Sequence, residues 1–124
     1  MDFHMIWIRL GSLMMLLGVA LGAFGAHGLR EILTAEGKQI YQTAVLYHLV
    51  HALGLLVIGL LALVKPSELL LRQAGWALVV GILLFSGSLY LLAITGIKKL
   101  GMITPLGGLA FLIGWTCLFL TAKK

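Results

Sequence analysis

The chain has 124 residues, of which 61% are hydrophobic and only 10% charged, and its mean hydropathy is +1.11. A water-soluble domain of this length has too small an interior to hide so much apolar surface, so the composition predicts an integral membrane protein. The net charge of +5 is spread over every loop and both ends, which favours contact with the anionic headgroups of the lipid bilayer and argues against nucleic acid as a partner.

Four long apolar runs divide the chain. All four carboxylates, and every Lys and Arg except Arg9, lie outside these runs. Each run meets the requirement of roughly 17–25 residues for a helix that crosses a bilayer. The predicted spans cover approximately residues 5–26, 41–64, 74–95 and 105–121. The sequence thus predicts an all-α fold, a four-helix transmembrane bundle that forms a single integral membrane domain over residues 1–124.

The first span carries glycine residues along one helical face. They are Gly11, Gly18, Gly22 and Gly25. Gly18 and Gly22 have the GxxxG spacing that lets membrane helices approach closely, so this face should pack against another helix. Small residues before Ala26 also fit a cleaved signal peptide, but a removed peptide has no need of a packing face, and we favour a retained helix.

The connection to the second span begins with the helix-breaking residues 25–28. Leu29, Ile32 and Leu33 then recur at helical spacing among charged residues, which predicts a short interfacial segment lying on the membrane surface. Thr34 is the expected N-cap of the helix that follows.

The second span contains His48 and His51 within an otherwise apolar stretch. At about 100° per residue, both histidines share a face with small residues, while Leu and Val residues occupy the opposite face. The predicted inner face consists of Tyr41, Ala44, His48, His51, Ala52, Leu55, Gly59 and Ala62. In lipid, small residues mark close helix contacts and polar side chains turn inward to find partners, so this face should meet the bundle.

Proline and glycine mark the remaining helix ends. Pro66 should end the second helix, and Gly96 fits the left-handed position that follows the third. The fourth helix should begin at Thr104 and Pro105, an N-cap followed by proline at the first helical position.

A polar layer is predicted between the second and third helices. These helices are antiparallel, so the start of the second and the end of the third lie together at the end of the bundle opposite the termini. Counted inward from that end, His48 lies level with Tyr90, and His51 lies level with Ser86. We therefore predict one buried polar layer of these four side chains in the half of the membrane opposite the termini, with His27 near its rim.

The sequence is compatible with more than one role for the histidines. His48 and His51 could share a metal ion with His27 as a third ligand, but no acidic or thiolate ligand lies near them in the sequence. Haem is disfavoured because two histidines on one helix face cannot occupy opposite axial positions. We favour neutral imidazoles that hydrogen-bond across helices, with a polar pathway or ligand pocket as the alternative. The prediction is therefore no metal and no cofactor.

Catalytic signatures are missing from the sequence. No carboxylate lies within a predicted span, and the chain has no Ser/His/Asp set, CxxC, P-loop or HExxH motif. The single cysteine, Cys117, is expected to be a small buried apolar residue of the fourth span. We therefore predict that the protein is not an enzyme.

Four strings carry a resemblance to a known family: GAFGAHGL at residues 22–29, YHLVH at 47–51, FSGSLY at 85–90 and ITPLGGL at 103–109. On these strings the chain resembles the YgdD-like family of small multi-pass proteins of the bacterial inner membrane, with relatives in mitochondria. The resemblance implies four membrane helices and a location in the inner (plasma) membrane. It implies no reaction, because the domain that defines the family has no established function.

Four spans place both termini on one side of the membrane, and the distribution of cations indicates which side. The terminal side carries Arg9, Lys65, Arg72, Lys123 and Lys124, and the other side carries Arg30, Lys38, Lys98 and Lys99. By the positive-inside rule, this small excess favours cytoplasmic termini.

Two classes of function fit the sequence. The preferred one is a non-enzymatic structural, accessory or assembly protein that packs through glycine-rich helix faces, as a homo-oligomer or within a larger membrane complex. The alternative is a small oligomeric transporter or channel whose His, Tyr and Ser side chains line a route through the membrane.

Overall fold

The computed structural model describes residues 2–122, so Lys123 and Lys124 of the cation count lie outside the described residues. Within that range the chain forms four helices that are long and apolar enough to cross a membrane, and no strand. They are α1 (Phe3–His27), α2 (Ala35–Val64), α3 (Leu69–Thr95) and α4 (Thr104–Thr121). The predicted all-α, four-helix transmembrane bundle is confirmed, and each helix begins before its predicted span.

The helices α2 and α3 form the middle of the bundle. The helix α1 packs along α2, and α3 packs along both α2 and α4. At the end where α1 begins, the ammonium group of Lys65 donates to the carbonyl oxygen of Thr121 at 3.0 Å and ties the end of α2 to the end of α4. The apolar core lies toward the same end, where Trp7 is fully buried against Gly75.

The glycine face of α1 lies against α2. A methyl group built on Gly11 would lie 3.0 Å from the backbone nitrogen of Leu56, and one built on Gly18 would lie 2.7 Å from the side chain of Leu49. Gly18 follows Gly11 by the same number of residues as Leu49 precedes Leu56, so the two antiparallel helices keep the same register over this length. The same kind of contact joins Gly22 to Val45, Gly25 to Tyr41 and Gly59 to Ile8. All five glycines singled out for helix packing therefore pack within this chain.

The connection between α1 and α2 packs more closely on the protein than a segment lying on the membrane surface would. Leu29 and Leu33 are buried against Tyr41, whereas Ile32 stays exposed. Burial of the two leucines removes apolar surface from the polar headgroup layer. Thr34 caps α2 as predicted, since its hydroxyl oxygen accepts a backbone N–H of the first turn at 2.9 Å.

A π-helical turn at Ile82–Ser86 interrupts α3, between the regular segments Leu69–Gly81 and Gly87–Thr95. A π turn adds a residue to one turn of a helix and so rotates the faces on either side of it relative to each other. Here the turn brings the backbone of Phe85 against Gly107 of α4 so closely that no side chain would fit there. Helical periodicity in the sequence does not indicate this turn.

The junction between α3 and α4 agrees with two of the three roles predicted from the sequence. Gly96 ends α3 with a φ of 72°, the left-handed conformation predicted for it. Pro105 lies in the first turn of α4, as predicted. The prediction of Thr104 as N-cap is wrong, because Thr104 is already helical and caps nothing. Its hydroxyl group instead shares a 2.6 Å hydrogen bond with the hydroxyl group of Ser88 and so joins α4 to α3.

Replacement of Gly107 by alanine should destabilise the bundle, whereas the same change at Gly108 should not. A methyl group on Gly107 would lie 2.7 Å from Cα of Phe85, so the backbone must move, but one on Gly108 would come no closer than 3.9 Å to a Phe85 ring atom. Overpacking of this kind costs about 1–3 kcal/mol. Denaturant titration in mixed micelles measures the free energy of unfolding, and equal values for Gly107→Ala and Gly108→Ala would contradict the close approach of α3 and α4.

Candidate functional site

The inner face of α2 is buried as a continuous stripe. All eight residues predicted for this face are buried, and His48 and His51 each keep only 4% of their surface exposed. The opposite face, which includes Leu46, Val50 and Leu53, is exposed. Both histidines depend on partners within the protein, because hydrocarbon offers no hydrogen bonds.

His48 is bound to α3. Its Nδ1 atom shares a 2.8 Å hydrogen bond with the hydroxyl group of Tyr90. The ring of Tyr90 lies edge-on to the ring of Tyr41, with 5.2 Å between the ring centroids. The hydroxyl group of Tyr41 in turn donates to the carbonyl oxygen of Leu21 at 2.5 Å, so these contacts join α2 to both α1 and α3.

His51 is bound to α4. Its Nδ1–H donates to the carbonyl oxygen of Tyr47 at 2.6 Å, and its Nε2 accepts the indole N–H of Trp115 at 2.9 Å. Because a carbonyl oxygen only accepts and an indole nitrogen only donates, these two partners assign a neutral imidazole with its proton on Nδ1. The ring also stacks on Phe111, with 3.5 Å between ring centroids and 10° between the ring planes.

Ser86 is bound to the backbone of α2 and not to His51. Its hydroxyl group donates to the carbonyl oxygen of Ala44 at 2.7 Å, so Ser86 is level with Ala44. Helical side chains lean toward the N-terminus of their own helix, and α2 and α3 are antiparallel. His48 lies one turn after Ala44 on α2, and Tyr90 lies one turn after Ser86 on α3. Both side chains lean back toward the level of Ala44 and Ser86, where they meet. The pairing of His48 with Tyr90 is therefore present, and the predicted level of His51 with Ser86 is wrong.

His27 does not belong to this layer. It lies at the exposed C-terminal end of α1, where it lines a surface groove together with Arg30 and Lys38. Within residues 2–122, no three His, Cys, Asp or Glu side chains come together closely enough to hold a metal ion. His27 therefore stands apart from the two buried histidines.

Trp115 is the member of the layer that sequence reasoning missed. It lies one turn after Phe111 on α4, and both side chains meet His51. A tryptophan inside a membrane helix carries an N–H donor that needs an acceptor, and this requirement was the available signal. The signal does not identify the acceptor, because several helices could have supplied one.

These contacts join α2 to each of the other three helices. Tyr41 reaches α1, His48 reaches α3 and His51 reaches α4. Among the described residues of the layer, the side-chain atom buried without a hydrogen-bond partner is Nε2 of His48. The adjacent ring carbon faces α1, 3.3 Å from a methyl group built on Gly18. The arrangement can fix the relative positions of the helices.

Comparison with known proteins gives matches over almost the whole chain. The family described as "Protein of unknown function (DUF423)" matches residues 21–108. The UPF0382 membrane protein YwdK of Bacillus subtilis is 48% identical over 119 residues, which cover 96% of this chain and 97% of that protein. UPF0382 membrane proteins of Staphylococcus epidermidis and Staphylococcus haemolyticus are 45% and 43% identical, each with 96% of both chains covered. No solved structure matches the chain.

A double-mutant cycle tests the contact between α2 and α4. Trp115→Phe removes the indole donor and leaves Nε2 of His51 without a partner, so it should cost about 0.6–2 kcal/mol of unfolding free energy. In a His51→Leu background the same Trp115→Phe change should cost close to nothing, because the acceptor is already gone. Denaturant titration of the four proteins gives the coupling energy, and additive losses would contradict the hydrogen bond.

Proposed function

The chain belongs to the DUF423 family of proteins of unknown function, and we propose that it serves as a non-enzymatic structural or accessory protein of the membrane. It is a multi-pass membrane protein with four spanning helices, and its curated relatives are likewise named as membrane proteins. Those names assign no reaction to the relatives.

The observation that carries this proposal is that both ring nitrogens of His51 are occupied by hydrogen bonds, one to the carbonyl oxygen of Tyr47 on α2 itself and one to Trp115 on α4. A side chain that binds substrate or relays protons needs a free donor or acceptor that faces water or ligand. His51 has neither, since Tyr47 and Trp115 occupy both nitrogens. Ser86 is likewise bound to a backbone carbonyl group. The layer is therefore suited to holding helices in place.

An accessory role requires a surface for association with a second copy or with a larger membrane complex. The glycine face of α1 does not provide one, because its residues contact α2 of the same chain. The outward faces remain, where most of the Leu and Val side chains of α2 are exposed. We propose that association uses these outward faces, by the shape-dependent packing that drives contact between membrane helices.

The rival function, a small oligomeric transporter or channel, is favoured by one observation. Nε2 of His48 is buried without a partner, and an imidazole nitrogen of this kind could take part in proton transfer. The route would run through His48 and Tyr90 to the end of the bundle that carries His27. We rank this function second, because the remaining polar atoms of the layer are bound to protein.

We also propose that the protein lies in the inner (plasma) membrane with cytoplasmic termini. The location is supported by the resemblance to the YgdD-like family, and the orientation by the excess of cations on the terminal side.

Native mass measurement after gentle detergent extraction, combined with a proton-flux assay in liposomes, distinguishes the two functions. An accessory protein should purify as a defined oligomer or with a stable partner, and liposomes that contain it should keep an imposed pH gradient. Tyr90→Phe should then lower stability by about 0.6–2 kcal/mol without any effect on proton flux. A proton flux that the purified protein supports, and that Tyr90→Phe abolishes in a folded protein, would contradict the accessory role.

Single-cysteine labelling in a Cys117→Ala background tests the orientation. Ser67 and Lys98 are both exposed and lie in connections at opposite ends of the bundle. Cytoplasmic termini place Ser67→Cys on the cytoplasmic side and Lys98→Cys on the other, so a membrane-impermeant maleimide added to intact cells should label only the latter. Labelling of Ser67→Cys alone would reverse the orientation, and labelling of both would contradict the topology.

A further inference from the structure

A groove of about 670 Å³ lies where the end of α1 meets the start of α2. Three basic side chains line its outer part, and apolar side chains line its inner part. The basic ones are His27, Arg30 and Lys38, and the apolar ones include Val45, Leu46 and Leu49. The groove is lined by neither His48 nor His51, and among the buried polar side chains of α2 it borders Tyr41.

The charge in this groove is of one sign. No Asp or Glu side chain is among the described residues that line it. Glu36 belongs to the same turn of α2 as Lys38, but it faces a separate recess between α2 and α3. Arg30 and Lys38 are exposed, and their cationic ends therefore meet the layer in which lipid headgroups lie. The groove is thus electrostatically suited to an anion.

The groove runs along α2 from its basic part to its apolar part over a distance comparable with the length of an acyl chain. Lys38 and Leu49 are eleven residues apart on one helix, which corresponds to about 16 Å along its axis. This distance is roughly half the thickness of the hydrocarbon core, so the groove descends from the headgroup layer to the middle of the bilayer. Gly22, Gly25 and Ala26 of the facing helix, whose side chains are absent or small, line the other wall of the groove.

We propose that this groove binds one anionic phospholipid. The phosphate group lies between Arg30 and Lys38, where the guanidinium group can donate two parallel hydrogen bonds to phosphate oxygens. One acyl chain lies along Val45, Leu46 and Leu49. A soluble phosphate compound would leave the apolar wall unused, and a lipid without net charge would leave the two cations without a counter-charge.

Native mass spectrometry of the full-length detergent-purified protein tests this proposal. The probes are phosphatidylglycerol and phosphatidylcholine with identical acyl chains. One molecule of phosphatidylglycerol should bind about tenfold or more tightly than phosphatidylcholine, since each cation near the headgroup favours the anionic lipid. Equal affinity for the two lipids would overturn the proposal.

Two double variants separate a built site from general attraction to a basic surface. Arg30→Gln with Lys38→Gln removes two charges from the groove, and Lys98→Gln with Lys99→Gln removes two from the same end of the bundle outside it. The first variant should lose about tenfold in affinity for phosphatidylglycerol and the second should lose little. All four side chains are exposed, so the midpoint of thermal unfolding in phosphatidylcholine should be unchanged in both. Equal losses in the two variants would overturn the proposal.

Competition with sn-glycerol 3-phosphate tests the role of the acyl chain. This probe carries the phosphate group of the lipid without its chains. It should fail to displace phosphatidylglycerol at equal concentration, because it gains nothing from the apolar wall. Displacement would show that the phosphate group alone accounts for binding and would overturn the lipid assignment.

Discussion

Polar side chains that lie in the hydrocarbon core must find their hydrogen-bond partners inside the protein, and this constraint shapes the whole bundle. The structure meets it through α2, from which Tyr41, His48 and His51 reach the three other helices. Each contact is worth only about 0.6–2 kcal/mol, so close packing of the helices contributes most of the stability. The contacts nevertheless select one arrangement, because a helix shifted along α2 by a single turn would leave buried donors and acceptors without partners.

Close packing depends on glycine, and the structure uses glycine inside the chain. The α1 face meets α2 through Gly11 and Gly18, and α3 meets α4 where the backbone of Phe85 lies against Gly107. These glycine surfaces are therefore occupied within the chain, and the Leu and Val side chains on the outward face of α2 remain exposed. The cations gather at the ends of the helices instead, and one groove there combines Arg30 and Lys38 with an apolar wall. The protein thus has two kinds of lipid-facing surface. The outward Leu and Val faces suit acyl chains alone, and the groove suits an acyl chain together with an anionic headgroup.

Much of this architecture follows from patterns that are local in the sequence. The length and spacing of the apolar runs determine four membrane helices, because a bilayer has a set thickness. The period of a helix determines which side of α2 is buried, since small and polar residues recur on one face. Caps such as Thr34 and Gly96 behave as their chemistry requires, because a cap involves only residues near it along the chain. The contact of His48 with Tyr90 could also be inferred, since two helices joined by a short connection must lie side by side.

The tertiary structure alone decided the contacts that depend on more than one pair of helices. The sequence showed that His51 needs a partner, but only the packing of α4 against α2 selected Trp115 instead of Ser86. The level of Ser86 with Ala44 is set by how α3 packs along α2, and the π-helical turn in α3 leaves no periodic signal in the sequence. Thr104 was expected to cap its own helix, yet its hydroxyl group hydrogen-bonds to Ser88, because the packing of α3 against α4 brings the two hydroxyl groups together. Helix ends and buried faces are properties of single segments and can be inferred from the sequence, whereas register and partner choice are set by all four helices packed together.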